Sequence, residues 1–178
     1  FSIAVNPDEA FYFTLYPDIE EETPWQVFAN PQIKKVFHNS LFDISALDEF
    51  DIEPINIDDT LLMAHLLNMS GRLVELAPLV NKEVHDMKEY MNGVHTTLEL
   101  DTQLVARKCC QDSCATLALY YHLLSMVDVE YYTNEVGLIP ILHQMSNRGL
   151  RIDHDMRREL ERHLEVDADY YLKVCKEE

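Results

Sequence analysis

The chain has 178 residues, 47% of them hydrophobic, with 14 Lys and Arg against 32 Asp and Glu, a formal net charge of −18. That length and apolar content suit one filled core, or one domain and the start of a second, and exclude a disordered chain. A surface this acidic repels a polyanion at long range, which excludes tight nucleic-acid binding by the chain alone unless metal ions or a basic neighbour supply positive charge. No run approaches the ~18 consecutive apolar residues of a membrane helix, and the first residues lack the basic and apolar stretches of a signal peptide. No membrane partner is therefore expected, and the cytoplasm is the expected setting. The chain begins at Phe1, and a longer parent protein is expected.

Residues 1–5 alternate weakly, Asn6, Pro7 and Asp8 signal a turn, and residues 10–16 are rich in aromatic and β-prone side chains. Two strands joined by a tight turn are the natural reading. After an acidic loop over 18–23, Trp25 to Phe28 reads as a short helix that Pro31 stops. Lys35 to Asn39 reads as a brief buried strand, and residues 42–50 as a helix with Phe42, Ala46 and Leu47 at helical spacing. Ile55 to Ile57 is a second brief strand, and Asp58 or Asp59 caps a helix running to Leu67. Residues 68–71 stop it, 73–80 form a short apolar helix, and 82–100 form an irregular insert with Gly93 in a turn. Helical periodicity is strongest over 104–124. One further helix is predicted from Tyr132 to Met145, with Pro140 inside it, ending at Asn147, Arg148 and Gly149. A short extended piece over 150–152 then leads to Asp153, which opens an amphipathic helix to the end of the chain. Alternating β and α signals place residues 1–128 in the α/β class, and 129–178 read as helical.

Cys109, Cys110, Cys114 and Cys175 form no C-x-x-C pair. Cys110 and Cys114 share a helical face, as a reduced, buried pair would, and no second pair completes a zinc site. The carboxylates carry more information. Asp43 and Asp59 each stand at a helix start, where an N-cap is the plain explanation. Asp112 lies mid-helix, where a solvated face would account for it. Isolated carboxylates at the ends of apolar elements, far apart in sequence, are also the pattern of a Mg²⁺ site assembled by folding, which points to phosphodiester chemistry.

Taken in order, His38-Asn39-x-x-x-Asp43, Asp59-Thr60, Gly71-Arg72 before Leu76-Ala77, and Asp112-x-x-x-Thr116-x-x-Leu119 resemble the 3′–5′ proofreading exonuclease domain of family A DNA polymerases. Glu135 to Leu142, followed by residues 147–153, resemble the segment that opens the polymerase domain of the same family. The resemblance covers nearly the whole chain, and the acidic composition gives it a phage-like character. It implies a ribonuclease H-like α/β fold lacking its N-terminal strand, with 1–128 as a partial exonuclease domain and 129–178 as the helical start of the polymerase domain. Asp43 matches the aspartate of the second exonuclease motif, Asn39 the asparagine four residues before it, and Asp112 the aspartate of the third motif. In the family these carboxylates, with an Asp and a Glu of a first motif, hold two divalent ions, Mg²⁺ or Mn²⁺. One activates water and the other stabilises the leaving 3′-oxygen. The same resemblance puts Asn39, Phe42 and Lys108 at the substrate. It implies the primer 3′ end of DNA and the remainder of the polymerase chain as partners, in the host-cell cytoplasm if the parent is phage-encoded.

Two departures from the family pattern matter. The first-motif strand is expected ahead of Phe1, since residues 1–16 correspond to the second and third strands of the fold. An exposed sheet edge, and self-association through it, follow as expectations. Lys108 stands where the family carries a tyrosine, and Arg107 where the histidine-type exonucleases carry their base. The plain reading of Lys108 is a solvated helix lysine, because a general base there would need a strongly lowered pKa. This chain alone is therefore expected to lack exonuclease activity. A ribonuclease D-like exoribonuclease shares the second and third motifs, but residues 140–153 argue against it. A metal-free exonuclease fold acting only as a polymerase scaffold is the other alternative, which Lys108 favours. Arg148, Arg151, Arg157, Arg158 and Arg162 form a basic cluster that reads as a solvated face or as phosphate contacts.

Overall fold

Asn6 turns the chain back on itself. Its side-chain oxygen accepts the Asp8 N–H at 2.9 Å, and its amide donates to Glu9 at 2.9 Å, an Asx turn of the kind Asn, Pro and Asp favour. Strand β1 (Ser2–Asn6) thereby pairs antiparallel with β2 (Glu9–Tyr12), and hydrogen bonds of 2.8 and 2.9 Å between Phe1 and Phe13 extend the ladder. The computed structural model describes residues 1–14, 25–91, 93 and 96–177. The end of the predicted second strand, the acidic loop and part of the 82–100 insert lie outside the described residues.

Helix α1 (Trp25–Ala29) ends two residues before Pro31, as the sequence requires. Strand β3 (Lys35–Phe37) then pairs in parallel with β4 (Ile57–Asp59), and a parallel pair needs a crossover, which helix α2 (Ser40–Asp48) supplies. Strand β4 starts two residues later than the sequence suggested. Asn56 takes a left-handed φ of 58°, which does not belong in a strand, so the extended run begins after it and carries Asp58 and Asp59. Helix α3 (Thr60–Leu66) follows and stops before Asn68, which has a left-handed φ of 55°. The predicted helix over 73–80 is α4 (Leu73–Leu76) continued by a 3-10 turn, Ala77–Val80. The insert holds α5 (Met87–Tyr90), and Gly93 turns with a φ of 79°.

The long periodic segment is α6 (Thr102–Leu124), capped by Asp101, whose carboxylate accepts from Gln103 and Leu104 N–H at 2.9 and 3.2 Å. The single helix predicted over 132–145 is instead two, α7 (Val129–Val136) and α8 (Ile139–Arg148). Pro140 is the reason: having no N–H, it cannot sit inside a helix but fits the first turn of α8, and the break falls just before it. Gly149, with φ of 63°, ends α8, and Asp153 opens α9 (His154–Glu177) by accepting from Asp155 and Met156 N–H.

The described residues cluster into two compact units, Phe1–His143 and Gln144–Glu178. In the first, Met63, Ala64, Leu76, Leu119, Tyr120, Leu123, Val127 and Tyr132 form the main core. Helix α6 packs against β1, β2 and β3 as well as α3, so one helix covers both strand pairs. Phe28 joins the same pairs, its ring 5.9 Å from Phe1 and 6.4 Å from Phe37. The second unit is helical, and α9 exposes Met156, Leu160, Leu164, Tyr170 and Tyr171 along its length. The protein is thus α/β, with small sheets and many helices, as read from the sequence. Cys109, Cys110 and Cys114 are free and half-buried rather than buried, and Cys175 is free and exposed. Among the described residues no helix is long and apolar enough to cross a membrane.

Candidate active site

The site begins at the junction of β4 with α3. Asp59 is 5% exposed and caps α3 as expected, its Oδ1 accepting from Leu61 N–H at 2.8 Å and from Leu62 N–H at 3.4 Å. The same carboxylate also accepts from Asn39 N–H at 3.1 Å and from the Ser40 N–H and hydroxyl, each at 2.7 Å. One side chain therefore satisfies the orphan donors of two helix starts and fixes α2 against β4. The sequence showed only the first of these roles, because the second spans about twenty residues that no local pattern links. On the other side of β4 the Tyr132 hydroxyl accepts from Asp59 N–H at 2.9 Å and donates to Asp58 Oδ1 at 3.0 Å. Lys34 completes that buried group with an ion pair to Asp58 Oδ2 at 2.6 Å.

Fixing α2 places the second-motif residues. Asn39 precedes the helix with a left-handed φ of 74° and makes no side-chain cap, leaving it exposed. Phe42 is 72% exposed, an unusual state for a phenyl ring. Asp43 lies inside the first turn rather than at the cap, so capping does not explain it. Burial, then the nearby charge of Asp59, push its carboxyl up to about 6.

Asp112 projects from the middle of α6, half-buried, with Oδ2 paired to the Lys108 ammonium one turn earlier. Its Oδ1 is buried without a hydrogen-bond partner among the described residues. Burial raises this carboxyl above its ordinary value, while Lys108 and the charge of His38 oppose the rise. Lys108 is 7% exposed, so the solvated lysine read from the sequence is corrected: its face of α6 turns inward, and pairing makes its burial tolerable. Arg107, beside it, is exposed. His38 sits between the motifs, Nδ1 at 2.9 Å from Thr60 Oγ1 and Nε2 at 3.1 Å from the Gly71 carbonyl. Burial lowers its pKa, against the raising effects of Gly71, Asp59 and Asp112.

Oxygen donors of this kind suit a hard divalent ion, and both the orphaned Asp112 Oδ1 and the raised Asp43 carboxyl would gain from a nearby cation. Among the described residues, however, no three His, Cys, Asp or Glu side chains converge to hold a metal, so the residues present fit such an ion only in part.

Comparison with known proteins decides the family. Residues 22–128, more than half of the chain, match the model of the 3′–5′ exonuclease domain of DNA polymerase A type. The chain belongs to that exonuclease family. It is also 29% identical over 183 aligned residues to DNA polymerase I of Chloroflexus aurantiacus, an alignment covering 91% of this chain and 19% of that relative. The chain therefore spans 19% of the length of the curated relative it matches. No solved structure matches it. Within the exonuclease family, the polymerase-type match weighs against the ribonuclease D-like alternative.

Proposed function

We propose that residues 1–128 are the proofreading 3′–5′ exonuclease domain of a family A DNA polymerase, with a ribonuclease H-like fold, and that 129–178 begin its polymerase domain. The observation that carries this reading is the buried, unpartnered Oδ1 of Asp112, with a raised Asp43 carboxyl, in a chain of this family. Asp43 and Asp112 would hold two divalent ions, Mg²⁺ or Mn²⁺, together with first-motif carboxylates of the parent. Ions held there supply an activated water and charge stabilisation for the leaving 3′-oxygen. Phe42, already exposed beside Asp43, offers a stacking face to the terminal base of a single strand. Asn39 offers its free amide to the sugar-phosphate chain next to it. Asp59 orients both through α2 and stays out of the chemistry. The partners in this reading are the primer 3′ end and the rest of the polymerase, in the cytoplasm, a host's if the parent is phage-encoded.

The separate strand pairs support one further part of the proposal. Among the described residues β1 pairs only with β2 and β3 only with β4, yet α6 and Phe28 pack on both pairs. A strand carrying the first-motif Asp and Glu would join them into one sheet. Without it the edges of β1 and β3 are open to a second copy, and self-association that persists through a dilution series would support that. A metal-free scaffold is the second reading, favoured by the Lys108–Asp112 ion pair. The test is primer degradation with Mg²⁺. The parent polymerase shortens a single-stranded 3′ end, Asp43→Ala or Asp112→Ala abolishes this, and the present chain alone does not do it. Degradation by this chain alone, or parental degradation that survives Asp112→Ala, overturns the proposal.

A further inference from the structure

Resting on that exonuclease reading, we propose that the Lys108 ammonium is a built-in counter-cation for Asp112 that competes with a divalent ion for the same carboxylate. It thereby sets how tightly that ion is held. Lys108 and Asp112 lie one turn apart on α6 with their charged ends in contact. A lysine on a helix ordinarily extends its long stem so that the ammonium reaches water. Here the side chain is 8% exposed, and its charge is spent on one carboxylate oxygen. The other oxygen, Oδ1, is buried and lacks a hydrogen-bond partner among the described residues, a shortfall that a bound cation would relieve.

The two cations are not compatible at one carboxylate. A doubly charged ion on Oδ1 would lie within roughly 5 Å of the ammonium, and even at the high effective dielectric of protein sites that repulsion is worth well over tenfold in affinity. Binding therefore requires Lys108 to withdraw, which its four rotatable bonds permit and its burial resists. The imidazole of His38, also near Asp112, adds no hydrogen bond to it and cannot replace the ammonium as partner. Lys108 thus neutralises Asp112 and tunes the metal affinity of the site by acting through that carboxylate, which makes it a positioning residue.

Paramagnetic resonance of free Mn²⁺ tests this in the chain as it stands. Lys108→Gln keeps a hydrogen-bond donor for Asp112 and most of the side-chain volume but removes the charge, and Lys108→Met removes both donor and charge. Both are expected to bind Mn²⁺ about tenfold or more tighter than the unchanged protein, and adding Asp112→Asn to Lys108→Gln removes the gain. A folded Lys108→Gln protein with unchanged Mn²⁺ affinity, or a gain that survives Asp112→Asn, overturns the proposal. If Asp43→Asn and Asp112→Asn weaken Mn²⁺ binding while Lys108→Gln does nothing, only this inference falls. If none of the substitutions changes Mn²⁺ binding, this inference falls, while the exonuclease reading stands or falls on primer degradation by the parent. Should both Lys108 variants unfold, nitrogen NMR of the unchanged protein labelled at lysine decides the matter. Mg²⁺ shifts the Lys108 ammonium signal if the two compete and leaves it in place if they do not.

Discussion

Two aspartates in this molecule have opposite circumstances. The Asp59 carboxylate accepts five hydrogen bonds, from Asn39, Leu61 and Leu62 N–H and from the N–H and hydroxyl of Ser40, and it joins two helix starts. Asp112, projecting from a third helix, has one oxygen paired to Lys108 and the other buried without a partner among the described residues. Asp43 stands with Asp112: its carboxyl is pushed up to about 6 by burial and by the charge of Asp59. A fold optimised only for stability satisfies its buried polar groups, as it does at Asp59. The proposed site needs the opposite condition: an unpartnered oxygen at Asp112 and a raised carboxyl at Asp43, which a bound cation would relieve.

That contrast predicts different responses to substitution. Asp59→Ala leaves the donors of two helix starts orphaned and is expected to cost about 3–5 kcal/mol, measured by urea denaturation. A cost below about 1 kcal/mol would mean the junction is not the anchor described. Tyr132→Phe removes the hydroxyl between Asp59 N–H and Asp58 and is expected to cost about 1–3 kcal/mol by the same measurement, through two buried groups that lose a partner.

Asp43 should behave in the reverse sense. Its carboxyl holds its proton more tightly folded than unfolded, so the folded state is favoured below about pH 4, and that advantage is lost as the pH rises through about 6. Asp43→Asn, which carries no charge, is then expected to stabilise the protein by about 1–2 kcal/mol at pH 7.5, with the gain vanishing in acid. A destabilised Asp43→Asn protein at pH 7.5 would place Asp43 with Asp59 rather than with Asp112. The smallest effect belongs to Phe42→Ala. The ring is 72% exposed, so stability should change by less than about 0.5 kcal/mol, read from the thermal midpoint. A larger loss would show that Phe42 serves packing rather than substrate.

How much of this was legible beforehand depended on whether the information was local. The Asn6-Pro7-Asp8 turn, the helix stop at Gly149 and the helix starts at Asp59 and Asp153 are written in adjacent residues, and the structure has them. The split of α7 from α8 was also present in Pro140, which helical periodicity on its own overrode. Contacts between distant segments were not legible. Nothing near Asp59 says that it also holds Ser40, and a lysine in a charged helix reads as solvated until the neighbouring elements show which face is covered. Asp43 and Asp112, taken singly, were as well explained by a cap and a solvated face. Only their order along the chain with the other motifs singled them out.

Manganese mapping by NMR tests the central claim most directly, because paramagnetic broadening reports where the ion sits on a protein carrying a net charge of −18. Substoichiometric Mn²⁺ should first broaden the amides around residues 42–44 and 108–112, and Asp112→Asn should abolish that broadening. Broadening that begins at the carboxylates of α9 and spares both segments, with Asp112→Asn making no difference, would contradict the account.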